Sequence, residues 1–350
     1  MEVKALKFGG LTAKRPIVQG GMGVGVSLSS LAGNVAKCGG VGTISGVHPG
    51  YREADFKENP FRANLRAIGN ELEKAKEIAN GGIIGFNFMT VMNHYEEYVK
   101  EAIVAGADFI VSGAGLPVNL AKYAAGTRAA ILPIVSSARA LKLIVKQWQR
   151  ADRLPDAVVV EGPLAGGHLG YPYGHLVDGT FDTLEDSLVD IVDYVRELEE
   201  KNGVKIPVIA GGGVRNHADM ERLMALGASG VQVGTKFVAT EECDAAPAFK
   251  QAYLRSRKED VQLIESPVGL AARAIRNSFL EKVEKQGRIP VQRCYQCMNH
   301  CKQAETKYCI SQALIDAVQG REGLVFCGAN AYEIEKLSTV EKVMQELCGE

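Results

Sequence analysis

The chain alternates short, mainly apolar runs with longer segments in which apolar residues recur every three or four positions. Eight such runs stand out: Pro16 to Gln19, Val41 to Ile44, Ile83 to Met89, Asp108 to Val111, Ile131 to Val135, Ala157 to Val160, Pro207 to Ala210 and Gly230 to Val233. A run without polar alternation suits a strand buried on both faces of a parallel sheet. The segments between them read as helices. Ser27 to Lys37 has small and apolar residues on one face, Asn93 to Val104 is amphipathic, and Leu184 to Lys201 sets acidic residues opposite Leu188, Ile191, Val192 and Val195. Eight βα repeats predict an α/β fold of the closed (β/α)8 TIM-barrel class.

After Val233 the alternation dissolves. Lys- and Arg-bearing segments run from Thr240 to Gln292, followed by a group of cysteines and a last helix around Leu337 to Leu347. Residues 1–240 are therefore expected to form the barrel, and 241–350 an accessory helical region whose cysteine-rich tail packs on it. Two insertions follow the second and sixth strands, His48 to Arg62 and Gly162 to Phe181. Both fall at the carboxyl ends of strands, where βα loops carry function.

Composition narrows the class of partner. With 46% hydrophobic residues and a net charge of −1, the chain can bury a core but has no broad electrostatic drive toward nucleic acid or an anionic membrane. A small-molecule substrate is expected, and neither nucleic acid nor membrane; a homo-oligomer is left open. No run reaches the roughly 18 apolar residues of a membrane helix, and the opening Met-Glu-Val-Lys lacks the order of a signal peptide, so the expected location is cytoplasmic.

Chemistry concentrates at the strand ends. The first strand runs into Gln19-Gly20-Gly21-Met22-Gly23-Val24-Gly25, where the lack of side chains lets the backbone approach a flat ligand. Ala210-Gly211-Gly212-Gly213-Val214 follows the seventh strand and Val233-Gly234-Thr235-Lys236-Phe237 the eighth. In barrels these two positions build a phosphate site from loop amides. The sixth strand delivers Gly166-Gly167-His168-Leu169-Gly170, which sets a histidine between glycines above the barrel mouth as the candidate catalytic residue. Asn87, at the end of the third strand, can both donate to and accept from the edge of a heterocycle. Ser112 to Pro117 and Ser136-Ser137 are read as shaping the pocket. The other histidines, His48, His94, His175, His217 and His300, are read as ordinary, with His175 bordering the pocket at most.

Six of the eight cysteines lie in the last sixth of the chain, five of them between Cys294 and Cys327. Cys294-x2-Cys297-x3-Cys301-x7-Cys309 brings four thiols close enough to suggest zinc or an iron–sulfur cluster, yet this spacing matches no familiar ligand run. Reduced cysteines also serve as small buried apolar residues. The expectation is no bound metal.

Together, Gln19-Gly-Gly-Met-Gly, Gly85-Phe-Asn-Phe-Met, Gly166-Gly-His-Leu-Gly, Ala210-Gly-Gly-Gly-Val and Gln232-Val-Gly-Thr-Lys-Phe resemble the nitronate monooxygenase (2-nitropropane dioxygenase) family over about residues 6–240. The FMN-dependent enoyl-ACP reductases lie in the same superfamily. The resemblance implies FMN as cofactor, with Gly21, Met22 and Gly23 lining the flavin, Asn87 against its ring, Gly166 and Gly167 beside it, and Gly212, Gly213, Gly234 and Thr235 on its phosphate. It gives His168 the catalytic place. Oxidation of alkyl nitronates with oxygen is the implied reaction. The alternatives are an enoyl-thioester reductase using NADH or NADPH as reductant, and a non-catalytic flavin-binding barrel or assembly subunit.

Overall fold

A computed structural model of the chain describes residues 4–299 and 301–350, so His300 lies outside the described residues. The barrel strands are β1 (Ile17–Gln19), β2 (Val41–Ser45), β3 (Ile83–Met89), β4 (Phe109–Gly113), β5 (Ala130–Val135), β6 (Val158–Glu161), β7 (Val208–Gly211) and β8 (Gly230–Val233). All pair in parallel and in chain order, and β8 closes on β1 with Val231 opposite Ile17 and Val233 opposite Gln19. The eight apolar runs are these eight strands, displaced by at most two residues at an end.

Val18, Val41, Ile83, Phe109, Val111, Leu132, Val159 and Ile209 point inward and fill the barrel. A hairpin that the periodicity did not announce, Leu6–Phe8 paired with Leu11–Ala13, adds Leu6, Phe8 and Ala13 to this interior cluster. Phe8 meets Phe109 edge to face at 6.0 Å. With the amino-terminal end plugged in this way, a ligand has room at the carboxyl ends of the strands.

The surrounding helices are α1 (Ser29–Lys37), α2 (Pro60–Ala79), α3 (Tyr95–Val104), α4 (Leu120–Tyr123), α5 (Ala138–Trp148), α6 (Leu184–Asn202) and α7 (His217–Ala225). Their starts follow from local chemistry. At α6, Thr183 Oγ1 accepts from the Asp186 amide at 3.2 Å while the Asp186 carboxylate accepts from the Thr183 amide at 3.1 Å, so two otherwise unpaired donors are satisfied reciprocally.

After β8 only one helical turn, Thr235–Val238, follows before the chain leaves the barrel. The place of an eighth helix is taken by α8 (Val340–Cys348), which packs against α1 and α7. It is clamped at both ends: the Val340 amide donates to Glu242 at 3.0 Å, and His217 Nδ1 lies 2.9 Å from the Leu347 carbonyl oxygen.

The intervening region crosses the carboxyl-end face. Its strands Val261–Glu265 and Ala271–Ile275 add to Gly167–Leu169, in the loop after β6, as a three-stranded antiparallel sheet. His48, from the insertion after β2, is buried against the same region. Its Nε2 lies 2.8 Å from Ser311 Oγ, and burial lowers its pKa to about 4, so it is a neutral structural group.

Because Met344 is fully buried in α8 with its methyl over Gly40, Met344→Ala should destabilise the protein by about 2–5 kcal/mol, the usual cost of such a truncation. Chemical denaturation checks this, with Lys342→Ala, on the exposed face of the same helix, expected to stay within about 0.5 kcal/mol of the parent.

Candidate active site

The carboxyl ends of the strands surround a cavity of about 470 Å³. His168 and the ten cofactor candidates drawn from sequence, Gly21, Met22, Gly23, Asn87, Gly166, Gly167, Gly212, Gly213, Gly234 and Thr235, all line it.

The loop after β1 is held in place by Ser27, whose Oγ accepts from the Met22 amide at 2.8 Å and whose own amide donates to the Met22 carbonyl at 3.0 Å. Glycine is needed here for closeness. A Cβ on Gly21 would sit 2.4 Å from Asn87 Cβ, and one on Gly23 would sit 2.4 Å from Ser45 Oγ. Met22, Met89 and Ile134 add apolar side chains to the lining, with the Asn87 amide beside Gly21.

The part of the lining after β7 and β8 is built from backbone. Gly212 and Gly213 have φ of +102° and +91°, a conformation that side-chain-bearing residues rarely adopt. Among the described residues no protein acceptor meets the amides of Gly212, Gly213 or Thr235. Several N–H donors in one place without intervening Cβ atoms suit a phosphate dianion. Two cations in this part of the lining are already held by carboxylates, Arg215 by Asp219 at 2.9 Å and Lys236 by Glu346 at 2.6 Å. Unpaired backbone donors beside an apolar, amide-bearing slot suit a ring system that carries a phosphate.

A further stretch lines the cavity that sequence reasoning missed. Phe326 to Asn330, from the accessory region, lies against the loop after β6: the Ala329 amide donates to the Leu164 carbonyl at 3.1 Å, and the Gly328 amide donates to Thr235 Oγ1 at 3.2 Å. Gly166 passes so close that a Cβ there would lie 2.8 Å from the Cys327 carbonyl carbon. The one local signal is the Gly-Ala-Asn that follows the apolar Leu324–Phe326, and it is masked when Cys327 is grouped with the other cysteines.

His168 is positioned by strand pairing, opposite Ala272, and its ring meets Phe326 edge-on at 5.0 Å. Nε2 lies 2.8 Å from Ser266 Oγ, and that oxygen also accepts from the Val268 amide at 3.4 Å. The ring is enclosed by protein but keeps an edge on the cavity, and loss of solvation lowers its pKa to about 4. It is therefore a neutral imidazole near pH 7.

Glu161, at the end of β6, is a residue to which the sequence alone assigns no role. It too lines the cavity, and loss of solvation raises its pKa to about 7. Glu161 and His168 also line a second cavity of about 860 Å³, walled by Ser136, Ser137, Tyr171, Ser266, Lys302 and Lys307 among others. The two residues thus stand between the chambers. Ala114 borders both, whereas His175 is exposed and lines neither. Among the described residues no helix is long and apolar enough to cross a membrane.

Relatives share this architecture and its sequence. The model of a family described as nitronate monooxygenase matches residues 4–350. A Staphylococcus saprophyticus protein named as a probable nitronate monooxygenase is 24% identical over 309 residues, covering 81% of this chain and 82% of the relative. One from Staphylococcus aureus, similarly named, is 25% identical over 305 residues, covering 80% and 81%. Among solved structures, FabK from Thermotoga maritima superposes with a TM-score of 0.72 at 23% identity, covering 96% of this chain and 92% of that one. Nitroalkane oxidase from Streptomyces ansochromogenes gives 0.69 at 19% identity, covering 96% and 95%. With the barrel, the cavity and a match along nearly the whole chain, the protein belongs to the nitronate monooxygenase family and is a flavin-dependent oxidoreductase.

Proposed function

We propose that the enzyme binds FMN in the 470 Å³ cavity and oxidises small alkyl nitronates with molecular oxygen. Gly212, Gly213, Gly234 and Thr235 would hold the phosphate, and Gly21, Met22, Gly23, Asn87, Gly166 and Gly167 would line the ring. FMN supplies the electron-accepting chemistry that links nitronate to oxygen.

The observation that carries this reading is the pair at the chamber wall. A nitronate is an anion, and it is best received by hydrogen-bond donors that carry no negative charge. His168, with a pKa near 4, is neutral above that pH, and Glu161, with a pKa near 7, is protonated below it. Between these limits both groups are uncharged donors in a site screened from water, where a hydrogen bond to an anion counts for more than it does in solution. Ser266 fixes the orientation of the imidazole from behind.

A second reading rests on the adjoining 860 Å³ cavity, which exceeds what a small nitronate needs. A long acyl thioester could lie there with its unsaturated end at His168, and NADH or NADPH would then serve as reductant.

His168→Ala should leave FMN bound, as judged by the flavin-to-protein absorbance ratio, while lowering kcat/KM for propyl-2-nitronate by about 100-fold or more. Unchanged turnover would remove the imidazole from the reaction. The pH profile provides an independent check. As pH rises through about 7, Glu161 ionises and repels the anion, so kcat/KM should fall with a single ionisation, and Glu161→Gln should flatten that fall. A descending limb that persists unchanged in Glu161→Gln would assign it to another group.

A further inference from the structure

The four cysteines whose spacing matches no familiar run are brought together by the fold. Cys294, Cys297, Cys301 and Cys309 all line one cavity of about 180 Å³ near the carboxyl-end face, with Pro267, Tyr295 and Tyr308 among its other walls. Among the described residues no three His, Cys, Asp or Glu side chains converge as a single-ion site requires. The thiols instead surround a space much larger than one ion fills. That arrangement suits a group which offers each thiolate a different metal atom.

The surroundings are those an anionic sulfur cluster needs. The Gln296 amide donates to Cys294 Sγ at 3.4 Å. Cys309 is the N-cap of the helix Ile310–Val318, at whose start the backbone amides are unpaired within the helix. The Tyr308 hydroxyl is buried and has no hydrogen-bond partner in the protein, an omission that an acceptor sulfur in the cavity would remove. Hydrogen bonds to sulfur are among the features by which proteins tune iron–sulfur groups, and here Cys297 and Cys309 are half-buried while Cys294 and Cys301 are exposed.

The ligand-bearing segment is also held from outside. The Asn93 amide donates to the Cys297 carbonyl at 3.1 Å, Asn93 Nδ2 donates to the Gln296 carbonyl at 2.7 Å, and Met298 bridges to Met92. This ties the first two cysteines to the loop after β3. Cys301 and Pro267 line both this cavity and the 860 Å³ chamber, so the site adjoins the one that His168 and Glu161 face.

We propose that Cys294, Cys297, Cys301 and Cys309 ligate a [4Fe–4S] cluster. Binding a preassembled core in its 2+ state forms four S–Fe bonds, releases the four thiol protons to solvent and transfers no electrons. The cluster site stands whichever substrate the flavin site takes, and it replaces the expectation from sequence that no metal is bound.

The test uses the full chain purified without oxygen and incubated with sulfide and equal amounts of ferrous and ferric iron, whose charges sum to that of the core. After desalting, about four iron and four acid-labile sulfide per chain are expected, with a paramagnetic signal on reduction by dithionite. Cys297→Ser should lose most of both, while Cys38→Ser, far from the cavity, should keep them. Should Cys297→Ser fail to fold, alkylation of the unchanged protein provides the same information, since loading should protect these four cysteines and no others. Wild-type protein retaining under about one-tenth of that iron and sulfide, zinc bound without sulfide, or disulfides among the four thiols would each overturn the assignment. Flavin content measured in the same samples separates this outcome from any failure of the flavin site.

Discussion

The geometry of the candidate site depends on one short piece of antiparallel pairing, the three residues Gly167–Leu169 against Ala271–Ile275. A glycine-rich loop on a barrel rim has many conformations available, and ordering each residue costs about 1–2 kcal/mol of backbone entropy. Pairing with a strand from the accessory region selects one of these conformations. It sets His168 opposite Ala272, brings Ser266 behind the ring, and leaves Phe326 to close its flank. The region after β8 is therefore part of the candidate site: it supplies the strand that pairs with the histidine's, the stretch Phe326 to Asn330 that lines the cavity, and the helix that completes the ring.

The same enclosure accounts for the electrostatics. Removing a carboxyl and an imidazole from water disfavours the charged form of each, so the two pKa values move in opposite directions, up for Glu161 and down for His168. The result is a pair of neutral hydrogen-bonding groups between two chambers, while Arg215 and Lys236, which also line the first cavity, are paired with Asp219 and Glu346.

The barrel is legible in the sequence because parallel strands buried on both faces leave unbroken apolar runs, and a run such as Val158-Val159-Val160, bounded by polar and glycine-rich segments, suits little besides such a strand. The glycine clusters are legible for a related reason, since close approach and positive φ admit few other residues. The parts that are not legible have weak local signals. The hairpin Leu6–Phe8 with Leu11–Ala13 is too short to show a period. Phe326 to Asn330 reaches the site only through tertiary contact, and the raised pKa of Glu161 is a property of its surroundings and not of its sequence neighbours. The cysteine spacing is uninformative until the fold places Pro267 and the start of the helix Ile310–Val318 around the same cavity.

Everything proposed for the flavin site requires that the strand-end cavity hold a flavin which nitronates reduce without a second reductant. The decisive experiment mixes the flavin-loaded protein anaerobically with propyl-2-nitronate, and separately with NADH or NADPH, while the visible flavin absorbance is followed. Oxidised flavin absorbance should disappear with nitronate alone. Its loss with a pyridine nucleotide but not with nitronate would contradict the nitronate reading and favour the enoyl-thioester one.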